Sequence, residues 1–314
     1  MAAKTISERI DAITGIAPEY RSVAPPCPRS VKIELTARCD LNCWFCATGF
    51  KLRDKRDMDR GFYEALLDDL KISGVEEVGM FYLGESMLLP WLPDAIAAAR
   101  AKGFPYIFLT TNGRLARPKK VRSCMEAGLD SLKFSFNWAD AKQMKEGSRI
   151  DAFDEIVANI QGARRVRDEV EKETGHRCGL YASSIMYDGE QGQRMEKAIS
   201  MIVDHVDEHY FLPLYNQAGL TGAAGGKPVA GNPGRVANLR EPLPCWAVFT
   251  EARVTFDGHL SACCFDHDGR FQMGNLKEMP FLTAWHSEKF QTLRAAHLER
   301  DVTATVCEKC VAYA

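Results

Sequence analysis

Apolar and polar positions follow two different periods between residues 31 and 214. Short runs that are almost continuously apolar, such as VGMFYLG and IFLTTNG, predict strands that are buried on both faces. Segments with an apolar residue at every third or fourth position lie between these runs and predict amphipathic helices. The predicted strands are Val31–Thr36, Val78–Leu83, Tyr106–Thr110, Ser131–Phe136, Gly179–Met186 and Glu208–Leu214. The predicted helices cover residues 59–73, 92–102, 117–128, 151–172 and 191–204.

Six strands that alternate with helices predict an α/β fold with a parallel sheet, either closed into a barrel or left open. In both forms, ligands bind at the carboxyl ends of the strands. The pattern is lost over residues 215–244, where Gly, Ala and Pro accumulate and predict a long loop or linker. The predicted organisation is an N-terminal extension over 1–30, an α/β domain over 31–214, this loop, and a cysteine-rich domain over 245–314.

Composition and charge exclude several classes of protein. The chain has 314 residues and a net charge of −2, so we expect no strongly basic face for nucleic acid. No run approaches the ~18 apolar residues of a membrane span, and the N-terminus lacks the apolar core of a signal peptide, so we expect a cytoplasmic protein. Eleven cysteines in a reducing compartment favour metal binding or catalysis over disulfides.

The loop ARCDLNCWFCATG, after the first predicted strand, carries Cys39, Cys43 and Cys46. Zinc sites usually close with four ligands from paired cysteines, and this loop has no fourth cysteine or histidine. Three thiolates can instead hold three irons of a [4Fe–4S] cube and leave the fourth iron open to a chelating cofactor. The spacing therefore favours a cluster over a zinc site or three buried thiols.

This loop resembles the signature of the radical S-adenosylmethionine (SAM) superfamily. The resemblance implies a partial (β/α)6 TIM-like barrel in which SAM chelates the open iron of the cluster. The reduced cluster would cleave SAM to a 5′-deoxyadenosyl radical, which abstracts a hydrogen atom from the substrate. An external one-electron reductant of the flavodoxin or ferredoxin type is implied as a partner.

Further motifs resemble the cofactor-binding elements of the same family. The resemblance places Phe45 near the adenine. It places Gly84, Glu85 and Ser86, from the sequence LGES, at the methionine ammonium. This sequence departs from the GGE element of the family because Leu83 replaces the first glycine. The sequence TTNG and two strand serines resemble residues that bind the ribose or carboxylate of SAM; they are Asn112, Ser135 and Ser183.

A second group of cysteines lies near the C-terminus, around a predicted hairpin and helix. Two ligands from the hairpin and two from the final C-x2-C pair could close a tetrahedral sulfur site, which suits zinc or an iron–sulfur cluster. The region resembles the SPASM/twitch extension of radical SAM enzymes, and we expect the shorter twitch form because the chain ends soon after the last cysteine pair. The resemblance implies one auxiliary [4Fe–4S] cluster with the ligands Cys245, Cys263, Cys307 and Cys310.

The sequence does not decide which of the adjacent residues Cys263 and Cys264 is the hairpin ligand of the auxiliary cluster. Successive residues of a strand point to opposite faces, so only one of the two thiols is expected at the cluster. In family hairpins the ligand commonly falls five residues after the turn glycine, and counting from Gly258 gives Cys263. Cys264 is then a free thiol on the other face and a candidate hydrogen-atom donor; the alternatives are a buried thiol or the ligand itself.

A small sugar or aminocyclitol is the expected substrate. Abstraction of hydrogen at a carbinol carbon, loss of the hydroxyl proton and transfer of an electron to the auxiliary cluster would make the enzyme a dehydrogenase. Donation of a hydrogen atom from Cys264 would instead make it an epimerase. We expect oxidation, because the auxiliary cluster can accept the electron. Polar residues at strand ends are candidates to hold the substrate; they are Asn137, Tyr187, Asp188, Tyr215 and Asn216.

Two other classes of function stay open from the sequence alone. Other SPASM-type enzymes modify ribosomal peptides, often with an N-terminal peptide-recognition domain, for which the ~30 residues ahead of the first predicted strand are too few. The chain could also be a non-enzymatic binding protein with an α/β domain stabilised by zinc. Such a protein would contain zinc and no sulfide.

Overall fold

The structure is a computed structural model that describes residues 5–187, 189–212, 217–221 and 243–310. Its strands are β1 (Ser30–Ile33), β2 (Glu77–Gly79), β3 (Tyr106–Thr111), β4 (Ser131–Ser135), β5 (Gly179–Ile185), β6 (Glu208–Leu212), β7 (Glu251–Val254), β8 (His259–Ser261) and β9 (Gln272–Asn275). Its helices are α1 (Ile6–Thr14), α2 (Arg60–Ile72), α3 (Leu92–Ala101), α4 (Pro118–Glu126), α5 (Ala141–Ser148), α6 (Phe153–Thr174), α7 (Gly189–Ile199), α8 (Phe281–Trp285) and α9 (Glu288–Leu298). The loop predicted over 215–244 lies mostly outside the described residues.

Within the described residues, nine strands form one sheet in the order β6-β5-β4-β3-β2-β1-β7-β8-β9. The strands β1 to β6 are parallel neighbours in chain order, as alternating strands and helices require. Helices between these strands bury their apolar faces against the sheet; in α2 these residues are Tyr63, Leu66, Leu67 and Leu70. The predicted α/β fold with a partial barrel of six βα units is confirmed.

The strands β1 and β2 end earlier than the apolar pattern predicted. β1 ends at Ile33 and β2 at Gly79, yet the apolar run continues into the loops that follow. Leu35 and Met80 in these loops are fully buried. Their side chains fill the core beneath the carboxyl ends of the strands, so the apolar run marks a buried loop there rather than a longer strand.

Two helices, α1 and α5, were not predicted. In α1 a capping box fixes the first turn, because the Glu8 N–H donates to Thr5 Oγ1 at 3.1 Å and the Thr5 N–H donates to Glu8 Oε2 at 2.8 Å. Ile6, Ile10 and Ile13 then form an apolar stripe that lines a cavity inside the barrel. Among the described residues, no helix is both long enough and apolar enough to cross a lipid bilayer.

The C-terminal domain continues the sheet of the barrel. β7 lies parallel to β1, with Ser30 opposite Glu251. β8 and β9 follow as antiparallel strands, which confirms the predicted hairpin, and Gly258 takes the left-handed conformation of its turn at φ 95°. β1 is therefore held between β2 and β7, and the loop that follows it lies between the barrel and the C-terminal domain.

Candidate functional site

The first cysteine loop leaves the carboxyl end of β1, and Cys39, Cys43 and Cys46 are half-buried in it. Burial raises the pKa of Cys39 to about 12. Burial also raises the pKa of Cys43 well above its ordinary value, and the neighbouring thiols of Cys46 and Cys39 add to this effect. The Trp44 N–H donates to the Gly147 carbonyl in α5 at 2.9 Å and so anchors the loop. The structure thus brings the three predicted cluster ligands together at the strand ends.

Glu85 lies buried where the loops after β2 and β3 meet. Its carboxylate accepts hydrogen bonds from the Met87 N–H at 2.9 Å, the Thr111 hydroxyl at 2.9 Å and the Asn112 N–H at 2.7 Å. Burial outweighs these bonds and raises the pKa of Glu85 to about 7. A carboxylate has about four acceptor positions, so one is left for a further cation such as an ammonium.

Gly84 marks the point where the loop after β2 crosses the end of β1. A Cβ on this residue would lie 2.0 Å from the Thr36 carbonyl oxygen and 2.8 Å from the Arg38 carbonyl oxygen. Both are backbone atoms, so no side-chain rotation can relieve the clash. We expect Gly84→Ala to lower the free energy of unfolding by about 1–3 kcal/mol, measured by urea denaturation.

Gly61→Ala is the matched control for the close approach at Gly84. Gly61 lies in the first turn of α2, where a new Cβ would meet only the Asp59 side chain at 3.3 Å. Alanine favours a helix over glycine by up to about 1 kcal/mol, so this variant should be at least as stable as the parent protein. Equal stability of the two variants would show that the backbone at Gly84 has room for a side chain.

Asp40, inside the cysteine loop, is a site residue that the sequence analysis missed. Its carboxylate accepts hydrogen bonds from Asn112 Nδ2 at 2.7 Å and from Arg114 Nη1 at 3.1 Å. Asn112 Oδ1 in turn accepts from the Arg114 N–H at 2.9 Å. The predicted cofactor residue Asn112 is thereby tied to the cysteine loop. The signal in the sequence is an acidic residue directly after Cys39.

The other predicted cofactor residues lie around the same strand ends. The Phe45 ring packs against the Trp138 ring with their centroids 5.2 Å apart. Ser135 and Ser183 are register partners on β4 and β5. Ser86 is buried in the short turn that follows Glu85. The assignment of these four residues to the cofactor stays a prediction.

The predicted substrate residues fall into two groups. Asn137 Oδ1 accepts from the Ile185 N–H at 3.2 Å, and the Tyr187 hydroxyl donates to the Asn137 carbonyl at 3.3 Å. Asn137 and Tyr187 therefore join the ends of β4 and β5 to each other. The other three candidates, Asp188, Tyr215 and Asn216, lie outside the described residues.

A cavity of about 250 Å³ in the C-terminal domain brings five cysteines together. They are Cys245, Cys263, Cys264, Cys307 and Cys310. The Cys310 N–H donates to the Cys307 carbonyl at 2.9 Å, so the final C-x2-C pair forms a tight turn. The rest of the wall is mostly apolar and includes Val248, Phe265 and Phe271. Thiols around a small apolar cavity form a donor set that suits an iron–sulfur cluster.

The structure places Cys264 next to Cys263 at this cavity, and which of the two thiols binds the cluster stays a prediction. β8 ends at Ser261, so Cys263 and Cys264 lie in a turn where the alternation of a strand no longer applies, and both line the cavity. A hydrogen bond from the Cys263 thiol lowers the pKa of Cys264 below its ordinary value. The positive charges of Arg253 and Lys32 act in the same direction.

His297 on α9 is a buried residue of this cavity that was not singled out from the sequence. The Cys245 N–H donates to His297 Nδ1 at 3.2 Å, and His297 Nε2 lies 3.4 Å from Cys307 Sγ. Burial lowers the pKa of His297 to about 4, so the ring is neutral. Because Nδ1 accepts, the ring proton lies on Nε2 and is donated to the Cys307 sulfur. His297 thereby fixes two of the predicted ligands.

Tyr82 connects the two candidate cluster sites. Its hydroxyl donates to the Cys263 carbonyl and lies 3.3 Å from Ser261 Oγ. Burial raises the pKa of Tyr82 well above its ordinary value, so the phenol is neutral. Tyr82 precedes Gly84 and Glu85 in the same loop, so one segment contacts both the barrel site and the C-terminal cavity.

Two lysines in the middle of strands face the inside of the barrel, which we call the lumen. Lys32 on β1 pairs with Glu251 on β7 at 2.8 Å. Lys133 on β4 lies 3.3 Å from the Tyr210 hydroxyl on β6. Neither lysine was predicted from the sequence, because both lie within strands and the predicted polar site residues lie at strand ends. A charged residue inside an otherwise apolar strand is the signal that marks them.

The two donor sets fit iron–sulfur clusters. Each consists of half-buried thiols, three in the loop after β1 and five around the C-terminal cavity. Within the part of the chain that the structure describes, no three His, Cys, Asp or Glu side chains converge closely enough to hold a single metal ion. The ligands of a cluster bind separate irons and need not converge on one point.

Comparison with models of known families gives two matches. The model for the radical SAM superfamily matches residues 33–170, which include the first cysteine loop and the loops after β2 and β3. The model for the iron–sulfur cluster-binding SPASM domain matches residues 245–311, which include the five-cysteine cavity.

A PqqA peptide cyclase from Xanthomonas euvesicatoria pv. vesicatoria is 37% identical to the chain over 121 residues, which are 38% of this chain and 32% of that protein. The chain thus spans about a third of the length of the curated relatives it matches.

Two solved structures resemble most of the described architecture. BtrN in complex with AdoMet and 2-DOIA gives a TM-score of 0.59 at 18% identity and covers 90% of this chain and 92% of that chain. SuiB from Streptococcus suis, bound to the precursor peptide SuiA, gives a TM-score of 0.66 at 14% identity and covers 86% of this chain and 67% of that chain. At these identities the two matches establish a shared fold.

Proposed function

Because the chain belongs to the radical SAM superfamily and carries a C-terminal SPASM domain, we propose that it oxidises a carbinol carbon of a small sugar or aminocyclitol. Its cofactors are S-adenosylmethionine and two iron–sulfur clusters. We assign the first cluster to Cys39, Cys43 and Cys46. We assign the second cluster to four cysteines of the C-terminal cavity, which are Cys245, Cys263, Cys307 and Cys310.

When bound, SAM and the first cluster would supply a radical that removes a hydrogen atom from the carbinol carbon. The second cluster would accept the electron left after the hydroxyl has given its proton to a base. The protein supplies the positions of these groups. Glu85 offers its remaining acceptor position to the methionine ammonium, and Asp40 holds Asn112 against the cysteine loop. Ordered polar groups of this kind are fixed before the cofactor arrives, which lowers the cost of binding.

The observation that carries the proposal is the position of the C-terminal cavity beside the lumen. Lys32 lines the lumen and pairs at 2.8 Å with Glu251 on β7, and the hairpin of β7 and β8 leads directly to Cys263 and Cys264 in the wall of the cavity. A substrate radical in the lumen would therefore lie next to an electron acceptor. The similarity to BtrN, which extends over 92% of that chain and whose structure contains AdoMet and 2-DOIA, supports a small substrate.

The test is a turnover assay in deuterated water with the anaerobically reconstituted protein and its Cys264→Ala variant. D-glucose, D-glucosamine, D-glucuronate and myo-inositol would be supplied with SAM and dithionite. We expect both proteins to form 5′-deoxyadenosine and a ketone. The parent protein and the variant should form equal amounts of the ketone. An alcohol that gains solvent deuterium only when Cys264 is present would instead assign the enzyme as an epimerase. Failure to form any 5′-deoxyadenosine would overturn the radical assignment itself.

Modification of a peptide is the second candidate function. The match of 37% identity is to PqqA peptide cyclases, and the SuiB structure contains a precursor peptide. A peptide must enter the lumen as an extended chain, whereas a sugar needs only a closed polar pocket. The two candidate functions are distinguished by running the same assay with a peptide in place of the polyols and analysing the products by mass spectrometry. A modified peptide together with unreacted polyols would favour the second candidate.

A further inference from the structure

The lumen contains a cavity of about 100 Å³ below the candidate cofactor site. It begins at the first residues of β2, β3 and β4 and reaches Thr110, two residues before Asn112. Its walls combine apolar side chains, among them Phe81 and Phe108, with charged and hydroxyl groups. A single water needs at least about 10–15 Å³ of cavity volume, so the cavity has room for a carboxylate or a phosphate group.

Three cationic side chains and two carboxylates line this cavity. Two of the cations pair with the carboxylates, and the third has no carboxylate partner among the described residues that line the cavity. Arg9 pairs with Glu77, and Lys32 pairs with Glu251. Glu251 is also bound by Arg253, so its charge is fully engaged. Among the described residues, Lys133 has no carboxylate within ion-pair distance.

Lys133 lies beside one hydroxyl group, and a second hydroxyl lines the same cavity. Lys133 lies 3.3 Å from the Tyr210 hydroxyl and is the register partner of Thr110 on the neighbouring strand. A half-buried ammonium without a counter-ion is costly, and a bound anion would remove that cost. The three donors of an ammonium, with a phenol and a threonine hydroxyl beside it, match the oxygens of a carboxylate or phosphate.

We propose that Lys133, with Tyr210 and Thr110, binds an anionic group of the substrate, so that the substrate is a polyol carrying a carboxylate or a phosphate. This inference rests on the proposed function, because it places the substrate in the lumen. The anion occupies the deep end of the lumen, and the carbinol carbon lies toward the strand ends where Glu85 and Asn112 sit.

The charge of the lumen favours the binding of an anionic polyol over the binding of an aminocyclitol. A protonated amine would meet the Lys133 ammonium at close range, while the two carboxylates of the cavity are already paired. Like charges at such a distance disfavour binding, and opposite charges favour it. An anionic polyol is therefore selected over an amino sugar by the same residue.

The experiment measures the binding of four probes to the anaerobically reconstituted holoenzyme with SAM bound, by isothermal titration without reductant. D-glucuronate tests a carboxylate, D-glucose 6-phosphate tests a phosphate, D-glucosamine tests an amine, and D-glucose is the neutral reference. One of the two anions should bind at least about 10-fold more tightly than D-glucose, as one charge-assisted hydrogen-bonded pair provides. D-glucosamine should bind more weakly than D-glucose.

Three variants locate the effect at Lys133. Lys133→Met should lose the preference for the anion, Lys133→Arg should retain it, and Lys119→Met, on the exposed side of α4, should behave as the parent protein. Iron content and the unfolding midpoint report whether Lys133→Met is folded; if it is not, the four-probe comparison on the parent protein and Lys133→Arg decides. Equal binding of all four probes, a preference for D-glucosamine, or an unchanged preference in a folded Lys133→Met would overturn the inference. Because no turnover is needed, a failed 5′-deoxyadenosine assay would count against the proposed function and not against this site.

Discussion

Replacing Cys43 with alanine is expected to abolish the formation of 5′-deoxyadenosine and to lower the iron content from about eight to about four per chain. Cys43 is a half-buried thiol of the loop after β1, and its neighbours Cys39 and Cys46 affect its pKa, so the three sulfurs form one donor set. Two thiolates cannot anchor three irons, so the first cluster would be lost while the C-terminal cavity stays intact. Iron and sulfide analysis, with chromatography of the nucleoside, gives the answer.

Cys27→Ala is the control for the loss of a cysteine in general. Cys27 is also half-buried, and its thiol donates only to the Pro28 carbonyl at 3.6 Å, outside both candidate sites. This variant should keep both its iron and its ability to cleave SAM. Full iron and full cleavage in Cys43→Ala as well would exclude the loop as the site of the first cluster.

Replacing Cys307 with alanine is expected to stop formation of the ketone while SAM is still cleaved. Cys307 lines the C-terminal cavity and accepts a hydrogen bond from His297, so its replacement removes a predicted ligand and leaves the His297 Nε2–H without its acceptor. The first cluster lies in a different loop and should still generate the radical. Iron should fall to about four per chain, and 5′-deoxyadenosine should form without a matching amount of ketone.

Cys178→Ala is the control for the Cys307→Ala variant. Cys178 is fully buried just ahead of β5, far from the cysteines of the cavity in the sequence, and its thiol donates only to the Gly179 carbonyl at 3.7 Å. We expect a small loss of stability and normal ketone formation. Ketone formation by Cys307→Ala at the rate of the parent protein would show that the C-terminal cluster is not the electron acceptor.

Local patterns in the sequence were sufficient to predict the barrel and both groups of cysteines. The parallel strands begin within one residue of the positions predicted for β1 and β2, because a buried strand needs an apolar run of its own. The spacing of Cys39, Cys43 and Cys46 likewise lies within one loop. Each of these predictions depends on residues that are close in the chain.

Contacts between distant segments were not predictable in the same way. Lys32 meets Glu251 across 219 positions, and Cys245 meets His297 across 52. No period or spacing records such a pair, since Lys32, Glu251 and His297 are each, taken alone, an ordinary charged or aromatic residue. The surroundings of Cys264 were hard to predict for a related reason, because a bulge and a turn end β8 early and only the folded hairpin reveals where the strand stops.

The position of β1 between β2 and β7 has a consequence for the order of events in the cell. A ribosome makes the N-terminal strand first, yet Glu251, which pairs beside Ser30, is translated only after most of the chain has emerged. Until then the nascent strand has one open edge, and open edges invite wrong partners. Iron delivered during translation would meet an unfinished scaffold, so we expect cluster insertion to be post-translational and to depend on protection of that edge by chaperones.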